Sequence, residues 1–200
     1  MAKANWIKVN PSSGSGNGSV SVSSTAAHTG RVVRTSFLTW KAANVADIVR
    51  NVNQAGKPEY VDISDNASAD KVGGSVTIQG TSNSKRLTFS LGTGDLNIAL
   101  PSTYLANSAM AQSGKDISGD PGASAEYIFS ITISVPANDT ISSMSRQIIV
   151  TDEAGHKDTC TLTLASGDAY VTIAAGDIEL DWQGSAVSVA VQSNTSWEVV

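Results

Sequence analysis

Apolar and polar residues alternate along most of this chain with a period of two. The alternation is clearest in five segments, "GSVSVSS" (18–24), "GSVTIQG" (74–80), "YIFSITISV" (127–135), "DTCTLTLAS" (158–166) and "AVSVAVQS" (186–193). Such a period is typical of half-buried β-strands, because successive side chains point to opposite faces of a sheet. Clusters of Gly, Asn, Asp, Ser and Pro separate the segments at intervals of roughly a dozen residues, which predicts an all-β sandwich.

The alternation also predicts which residues face the core. In the middle of the chain these are Val76, Ile78, Ile131, Ile133, Ile148, Val150, Leu162 and Leu164. Cys160 lies in one of the same strands and is interpreted as a small core residue. As the only cysteine it cannot form an intrachain disulfide, which indicates synthesis in a reducing compartment.

One segment is compatible with a helical turn instead of a strand. It is "STYLANSAMA" (102–111), which follows Pro101 and has Ser102 at the N-cap position.

Parts of the sequence recur at a spacing of about 111 residues. Gly56 and Gly167 are 111 positions apart (167 − 56), as are Asn83 and Asn194 (194 − 83), whereas Arg34 and Arg146 are 112 apart (146 − 34). Such a spacing indicates an internal structural repeat. It predicts the back half of one unit in residues 1–57, a complete unit in 58–168 with an extra loop at about 92–125, and the front half of another unit in 169–200.

The two outer segments carry a recognisable motif. Trp6 opens a strand that leads to Pro11 and Gly14, Arg34 lies in a later strand, and the next strand ends in "QAG" (54–56). "GSAVSVAVQSNTSW" (184–197) adds a Gly turn and an alternating strand that ends in Ser-Asn-x-x-Trp.

These segments resemble the BACON domain, an immunoglobulin-like sandwich common in Bacteroidetes and their phages. With the alternation, the resemblance implies an all-β fold of tandem immunoglobulin-like (BACON-type) β-sandwiches. It also implies either a spacer role or carbohydrate binding, since one fold hosts both.

Candidate binding residues are few. Trp40 and Trp182 are the candidates for stacking on a sugar ring, whereas Trp6 and Trp197 occupy core positions of the resembled family and are expected to pack. Asp116 and Asp120 share one loop and form a weak candidate for a calcium site.

Several classes of function are disfavoured. The net charge is −5 and the 13 Lys and Arg residues are scattered, which argues against nucleic-acid binding. No apolar run is long enough to span a bilayer, and the N-terminus lacks the apolar core of a secretory signal. His28 and His156 each lie beside a turn glycine and are expected to be solvated. With no acid–base or nucleophilic constellation, neither an enzyme nor a cofactor is predicted.

The preferred hypothesis is an auxiliary capsid or head-fibre protein of a Bacteroides phage, similar to those of crAss-like phages. Such a protein is made in the host cytoplasm, resides in the virion, and has the major capsid protein and its own copies as partners. The alternatives are a carbohydrate-binding BACON module of a Bacteroidetes surface protein, with cell-surface glycans as ligands, and an adhesin fragment.

The terminal half-units raise a further expectation. The segment with Val187, Val189, Val191 and Trp197 supplies strands that precede Trp6 in the family pattern, so the tail of one chain is expected to complete the head of the next. Fold-back within one chain, and a natural chain that extends past these residues, are the alternatives.

Overall fold

The computed structural model describes residues 3–200, whose regular elements are almost all β-strands. The N-terminal segment contains β1 (Ile7–Asn10), β2 (Ser21–Ser24), β3 (Arg34–Ala42) and β4 (Val45–Gln54). β1 pairs antiparallel with β2, and β3 pairs antiparallel with β4, each in a two-stranded sheet.

The middle of the chain forms a two-sheet sandwich with one 3₁₀ turn, Pro121–Ala123. Its strands are β5 (Val61–Ile63), β6 (Asn66–Ala69), β7 (Gly74–Ser82), β8 (Leu87–Gly94), β9 (Thr103–Ala106), β10 (Ala109–Gln112), β11 (Tyr127–Val135), β12 (Met144–Asp152) and β13 (Lys157–Leu164). One sheet has the order β10-β9-β11-β7-β5, and the other has the order β6-β13-β12-β8.

This topology is immunoglobulin-like. Strands β5, β7, β11 and β9 take the places of the A, B, E and D strands, and β8, β12 and β13 take those of C, F and G. All pairings are antiparallel except that of β6 with β13. The predicted all-β sandwich fold is therefore confirmed.

The sandwich core lies between the two sheets. Seven of the eight predicted core residues are buried, and Val76 is partly buried against the same cluster. Phe89 packs edge-on against Tyr104 and Phe129, with ring centroids 5.0 and 5.9 Å apart. Cys160 is completely buried, as expected of a core residue.

The helical turn considered for 102–111 does not form, because this segment is the hairpin of β9 and β10. Asn107 and Ser108 at its tip have φ of 46° and 68°, as a two-residue hairpin turn requires. Tyr104 and Ala106 point into the core, while Leu105 between them is exposed, so the burial has the period of a strand. Pairing with β11 outweighs the local helix signal.

The region 92–125, expected to be an extra loop, is in large part folded into the sandwich. Leu96, Ile98 and Ile117 belong to the hydrophobic core, as do residues of the β9–β10 hairpin. This region therefore contributes β9 and β10 to one sheet and enlarges the core.

The C-terminal segment contains β14 (Val171–Ile173) and β15 (Val191–Ser193), which pair antiparallel. It lies at the end of the sandwich where β7 begins, whereas the N-terminal segment lies at the end where β7 finishes. Among residues 3–200, no helix is long and apolar enough to cross a membrane.

Candidate functional site

Asn83 joins the N-terminal segment to the sandwich. Its side chain is completely buried, and Nδ2 donates to the carbonyl oxygens of Thr29, Lys57 and Pro58 at 3.3, 3.2 and 3.1 Å. Oδ1 accepts a hydrogen bond from the backbone N–H of Tyr60 at 3.0 Å. One amide thus ties together three parts of the chain: the N-terminal segment, the linker and the sandwich.

Asn194 makes the corresponding bonds at the other end of the sandwich. Its Nδ2 donates to the carbonyl oxygens of Asp139 and Asp168, each at 2.8 Å, and Oδ1 accepts from the backbone N–H of Tyr170 at 3.0 Å. Asn83 and Asn194, which recur at a spacing of 111 residues, therefore have the same structural role. We call these two sites the junction asparagines.

The strands that carry the junction asparagines also match. Ser82 Oγ donates to the Tyr60 carbonyl at 2.7 Å, and Ser193 Oγ donates to the Tyr170 carbonyl at 2.8 Å. β5 pairs with the end of β7 from Val61↔Ser82 to Ile63↔Gly80, and β14 pairs with β15 from Val171↔Ser193 to Ile173↔Val191. The C-terminal segment therefore reproduces front strands of the sandwich.

The β3–β4 hairpin reproduces the β12–β13 hairpin in the same way. Leu38 pairs with Arg50 as Ile148 pairs with Cys160, which fixes the sum of the two offsets at 220. The bonds from His28 to Val32 and from Asn138 to Ser142, which are 110 positions apart, set the offset at 110 for both strands (148 − 38, 160 − 50). At this offset Arg34 takes the place of Met144. The proposed echo of Arg34 at Arg146 is therefore wrong by two positions.

A salt bridge strengthens the first junction. Arg31 Nη1 donates to Asp120 Oδ1 at 2.6 Å and to the Asn83 carbonyl at 3.1 Å, while Nη2 binds the other carboxylate oxygen. These bonds lower the pKa of Asp120 below its ordinary value. The backbone N–H of Arg31 also donates to the Gly122 carbonyl at 3.0 Å. Sequence reasoning missed Arg31, because its partner is 89 positions away.

The calcium hypothesis for Asp116 and Asp120 does not fit this arrangement. The Asp120 carboxylate is occupied by Arg31, and the Asp116 carboxylate pairs with Lys85 and Arg86 at 3.4 Å. Within residues 3–200, no three His, Cys, Asp or Glu side chains form a group that could hold a metal ion.

His28 is not the solvated loop residue that was expected. It is buried, and its Nε2 donates to the Val32 carbonyl at 2.7 Å. Asn138 is also buried and donates to the Ser142 carbonyl at 2.8 Å, again four residues ahead. His28 therefore has the same structural role as Asn138, whereas His156 is exposed as expected.

The two candidate sugar-stacking tryptophans lie in different settings. Trp40 is 41% exposed and lies opposite Ile48 in the β3–β4 hairpin. Its counterpart in the sandwich is Val150 (150 − 40 = 110), which is completely buried. Trp182 is 92% exposed in the turn that begins at Asp181.

The two tryptophans expected to pack also differ. Trp6 is partly buried, and the guanidinium carbon of Arg34 lies 4.7 Å from the centroid of its ring. Trp197 is 53% exposed, so the packing expected of it is not found within one chain. The strands that would cover it in the sandwich pattern have no counterpart in the C-terminal segment.

Comparisons with known proteins give similarities to solved structures alone. A scan of protein families finds no match, and no curated protein matches the chain. A solved structure described as the NMR structure of a protein from Bacteroides thetaiotaomicron is similar, with 11% identity, a TM-score of 0.29, and coverage of 56% of this chain and 89% of that one.

Zebrafish RET cadherin-like domains 1 to 4 are also similar, with 12% identity and a TM-score of 0.34. The match covers 70% of this chain and 35% of the cadherin-like chain, so it spans about a third of that structure.

Proposed function

We propose that this protein is a non-enzymatic structural component of a phage virion, an auxiliary capsid or head-fibre protein. The observation that supports a structural role is the repeated junction asparagine. Asn83 fixes the N-terminal segment, and Asn194 the C-terminal segment, at opposite ends of the same sandwich. Such connections suit a protein that spans a distance and holds partners at its two ends.

The first junction has the bonds that a rigid spacer needs. Asn83 is buried, so water does not compete for its hydrogen bonds, and an unpaired carbonyl there would be costly. Arg31 and Asp120 add a bidentate ion pair, which fixes orientation as well as distance. The N-terminal segment is therefore held at a defined angle to the sandwich.

The assignment to a virion is supported by the resemblance of the outer segments to the BACON domain, which is common in Bacteroidetes and their phages. On this proposal the protein resides in the virion after synthesis in the host cytoplasm. Its partners are the major capsid protein or other virion proteins, and neighbouring copies of itself.

Carbohydrate binding is the second candidate, and the exposure of Trp182 is the observation that favours it. A ring that is 92% exposed can stack on a sugar. The neighbouring Asp181 carboxylate, however, already accepts from Ser185 Oγ at 2.6 Å and from the backbone N–H groups of Gln183 and Ser185 at 3.0 and 2.8 Å. A sugar hydroxyl would have to compete with these bonds.

Mass spectrometry of purified phage particles tests the first candidate. We expect the protein in a fixed ratio to the major capsid protein, and its absence from particles would contradict the proposal. A glycan array tests the second candidate, with Trp182→Ala as the variant. Val72→Ala is the matched control, since Val72 is an exposed apolar residue of the corresponding turn in the sandwich. Binding lost only in Trp182→Ala would favour the carbohydrate-binding function.

A further inference from the structure

Both terminal segments expose apolar side chains, several of them at alternating positions of the sequence. In the N-terminal segment these are Val20, Val22, Trp40 and Ile48, which are 41 to 49% exposed. In the C-terminal segment they are Ile173, Ile178, Leu180, Val187 and Val189, which are 38 to 63% exposed. We call these two surfaces the head face and the tail face.

We propose that the tail face of one copy binds the head face of a second copy, so that together they form one complete immunoglobulin-like unit. This inference rests on the proposed structural role and names the partner as a second copy of this chain. The sandwich in the middle of the chain supplies the template, because it shows how front and back strands of this repeat fit together.

Of the pairings that join front and back strands in the sandwich, two involve β6 and β7. β7 pairs with β11 along nine residues, and β6 pairs in parallel with β13. In the described part of the chain, β2 and β4, which take the places of β11 and β13, pair only with β1 and β3. The edges of β2 and β4 that correspond to these pairings are therefore open, and the tail face carries the residues that correspond to β6 and β7.

A repeated turn sets the register of the tail face. Gly73 has a φ of 70° and donates its N–H to the Asp70 carbonyl at 2.8 Å. Gly184 has a φ of 74° and donates to the Asp181 carbonyl at 3.0 Å. The two turns are 111 positions apart (184 − 73), so Val187 takes the place of Val76.

The same offset places Val189 at Ile78, which pairs with Ile131 in the sandwich.

The orientation of β2 sets the register of the head face. Ile7 is buried and pairs with Ser24, and Val9 pairs with Val22, so Val22 points to the same side as Ile7. Val20 lies two residues before Val22 and shares that side. The offset of 111 places these two valines at Ile131 and Ile133 (131 − 20, 133 − 22), which also face the core.

The template then predicts specific contacts between copies. Because Ile131 pairs with Ile78 and Ile133 with Val76, Val20 should lie opposite Val189, and Val22 opposite Val187.

Side-chain size supports the pairing of head and tail over other combinations. In the sandwich, Leu162 and Leu164 of β13 lie opposite Ala67 and Ala69 of β6. The head face has the smaller Val52 and the polar Gln54 at the leucine positions, and the tail face has Ile178 and Leu180 at the alanine positions. The larger residue of each pair thus lies on the β13 side in the sandwich and on the tail side in the proposed contact.

This exchange has a consequence for specificity. The tail face would place Ile178 against Leu162 if it invaded the sandwich, and overpacking of this kind is unfavourable. Against Val52 the same residue forms a pair that is smaller by about one methylene group than the pair with Leu162 would be.

The two faces of one chain are held apart. Asn83 and Arg31 fix the head at the end of β7, while Asn194 fixes the tail at its beginning. β7 has nine residues, which separates the two ends by about 25–30 Å. Closure within one chain would require breaking a junction, so a head-to-tail contact between copies is favoured, and it makes chains or rings.

Disulfide trapping tests the contact at a single pair of residues. Thr77 Oγ1 lies 2.9 Å from Thr132 Oγ1 on the outer surface of the β7–β11 pair. At the offset of 111 these threonines correspond to Ser188 and Ser21. We expect an equal mixture of the full-length Ser21→Cys and Ser188→Cys variants to form a disulfide-linked dimer under mild oxidation, with the two peptides joined in the mass spectrum.

The matched control mixes Asn51→Cys with Ser188→Cys. Asn51 is exposed in β4 but does not correspond to a residue opposite β7, so this mixture should give little dimer. Equal yields from both mixtures would overturn the inference. A Ser21→Cys/Ser188→Cys double variant that cross-links within one chain and remains monomeric would also overturn it, in favour of fold-back.

Light scattering supplies a second readout that needs no cysteine. The apparent molar mass of the intact protein should rise with protein concentration. Val189→Asp should abolish this rise, whereas Val72→Asp, at an exposed site of the sandwich, should not. A protein that stays monomeric at all concentrations would overturn the inference.

The two proposals fail separately. A chain that cross-links but is absent from virions would refute the proposed function alone. A virion component that does not cross-link would refute this inference alone.

Discussion

Replacing Asn83 by Ala should uncouple the N-terminal segment from the sandwich and destabilise the protein. The substitution removes one amide that serves four backbone groups, three carbonyl oxygens and the N–H of Tyr60. Because Asn83 is completely buried, alanine leaves these groups without a replacement partner unless water enters.

The magnitude follows from the number and burial of these bonds. A net contribution of about 1 kcal/mol per hydrogen bond, discounted because two N–H groups are shared among three carbonyls, gives about 2–4 kcal/mol. Asn194→Ala is the matched comparison, since it removes three similar bonds at a more exposed site. Its expected cost is about 1 kcal/mol.

Urea denaturation followed by far-UV circular dichroism and tryptophan fluorescence measures both variants. Trp6 and Trp40 report on the N-terminal segment, so in Asn83→Ala the fluorescence transition should move to lower urea more than the overall transition. Small-angle X-ray scattering of Asn83→Ala should show a broader distribution of intramolecular distances than the unaltered protein. The reasoning is refuted if both variants lower the free energy of unfolding equally, or if Asn83→Ala lowers it by less than about 0.5 kcal/mol. Burial of Asn83 would then not be what makes its hydrogen bonds stabilising.

Three further outcomes are expected. Ile131→Ala should lower the free energy of unfolding by about 2–5 kcal/mol, since Ile131 is completely buried, and a loss below about 0.5 kcal/mol in urea denaturation would contradict its inward position. The Arg31–Asp120 pair should stabilise the junction by up to about 1 kcal/mol above about pH 4. Because the pKa of Asp120 is lowered in the folded protein, this contribution is lost as the pH falls through that lowered value. In Arg31→Ala the free energy of unfolding should therefore fall less steeply as the pH becomes acidic. If it falls as steeply as in the unaltered protein, the Arg31–Asp120 pair is not the cause of the fall. Burial raises the pKa of Cys160 to about 11, so native protein at about pH 8 should resist alkylation that urea-unfolded protein undergoes; rapid labelling of the native state would contradict its burial.

The sequence alone predicts those features of the fold that depend on the alternation of apolar and polar residues within one strand. Alternation identifies the inward residues of β7, β11, β12 and β13, because a strand with one buried face must alternate. The repeat spacing also points to the junction, since Asn83 recurs at Asn194 in the sequence itself. The recurrence cannot show what the asparagine does, because that role depends on carbonyls from separate parts of the chain.

Errors arise where a distant partner decides the outcome. The segment 102–111 contains Ala, Leu and Met residues suited to a helix, yet pairing with β11 makes it a hairpin. His28 lies near a glycine in a polar stretch, and only the fold brings its ring under the surface. The Arg31–Asp120 bond joins residues so far apart in sequence that no local pattern indicates it.

Trp40 illustrates why exposure alone does not identify a binding residue. A tryptophan that is 41% exposed on a β-hairpin has the appearance of a sugar platform. Its strand partner, however, is Ile48, and the corresponding pair in the sandwich is Val150 with Asp158, where Val150 is completely buried. The side of the hairpin that carries Trp40 is therefore the side that faces a core in this repeat. Burial of a hydrophobic residue at such a position against further apolar side chains is favourable, and the tail face carries apolar side chains that could bury Trp40. Trp182 has no such counterpart, because Lys71 occupies its place in the sandwich turn. Of the two tryptophans, only Trp182 is therefore a candidate whose exposure would persist after assembly.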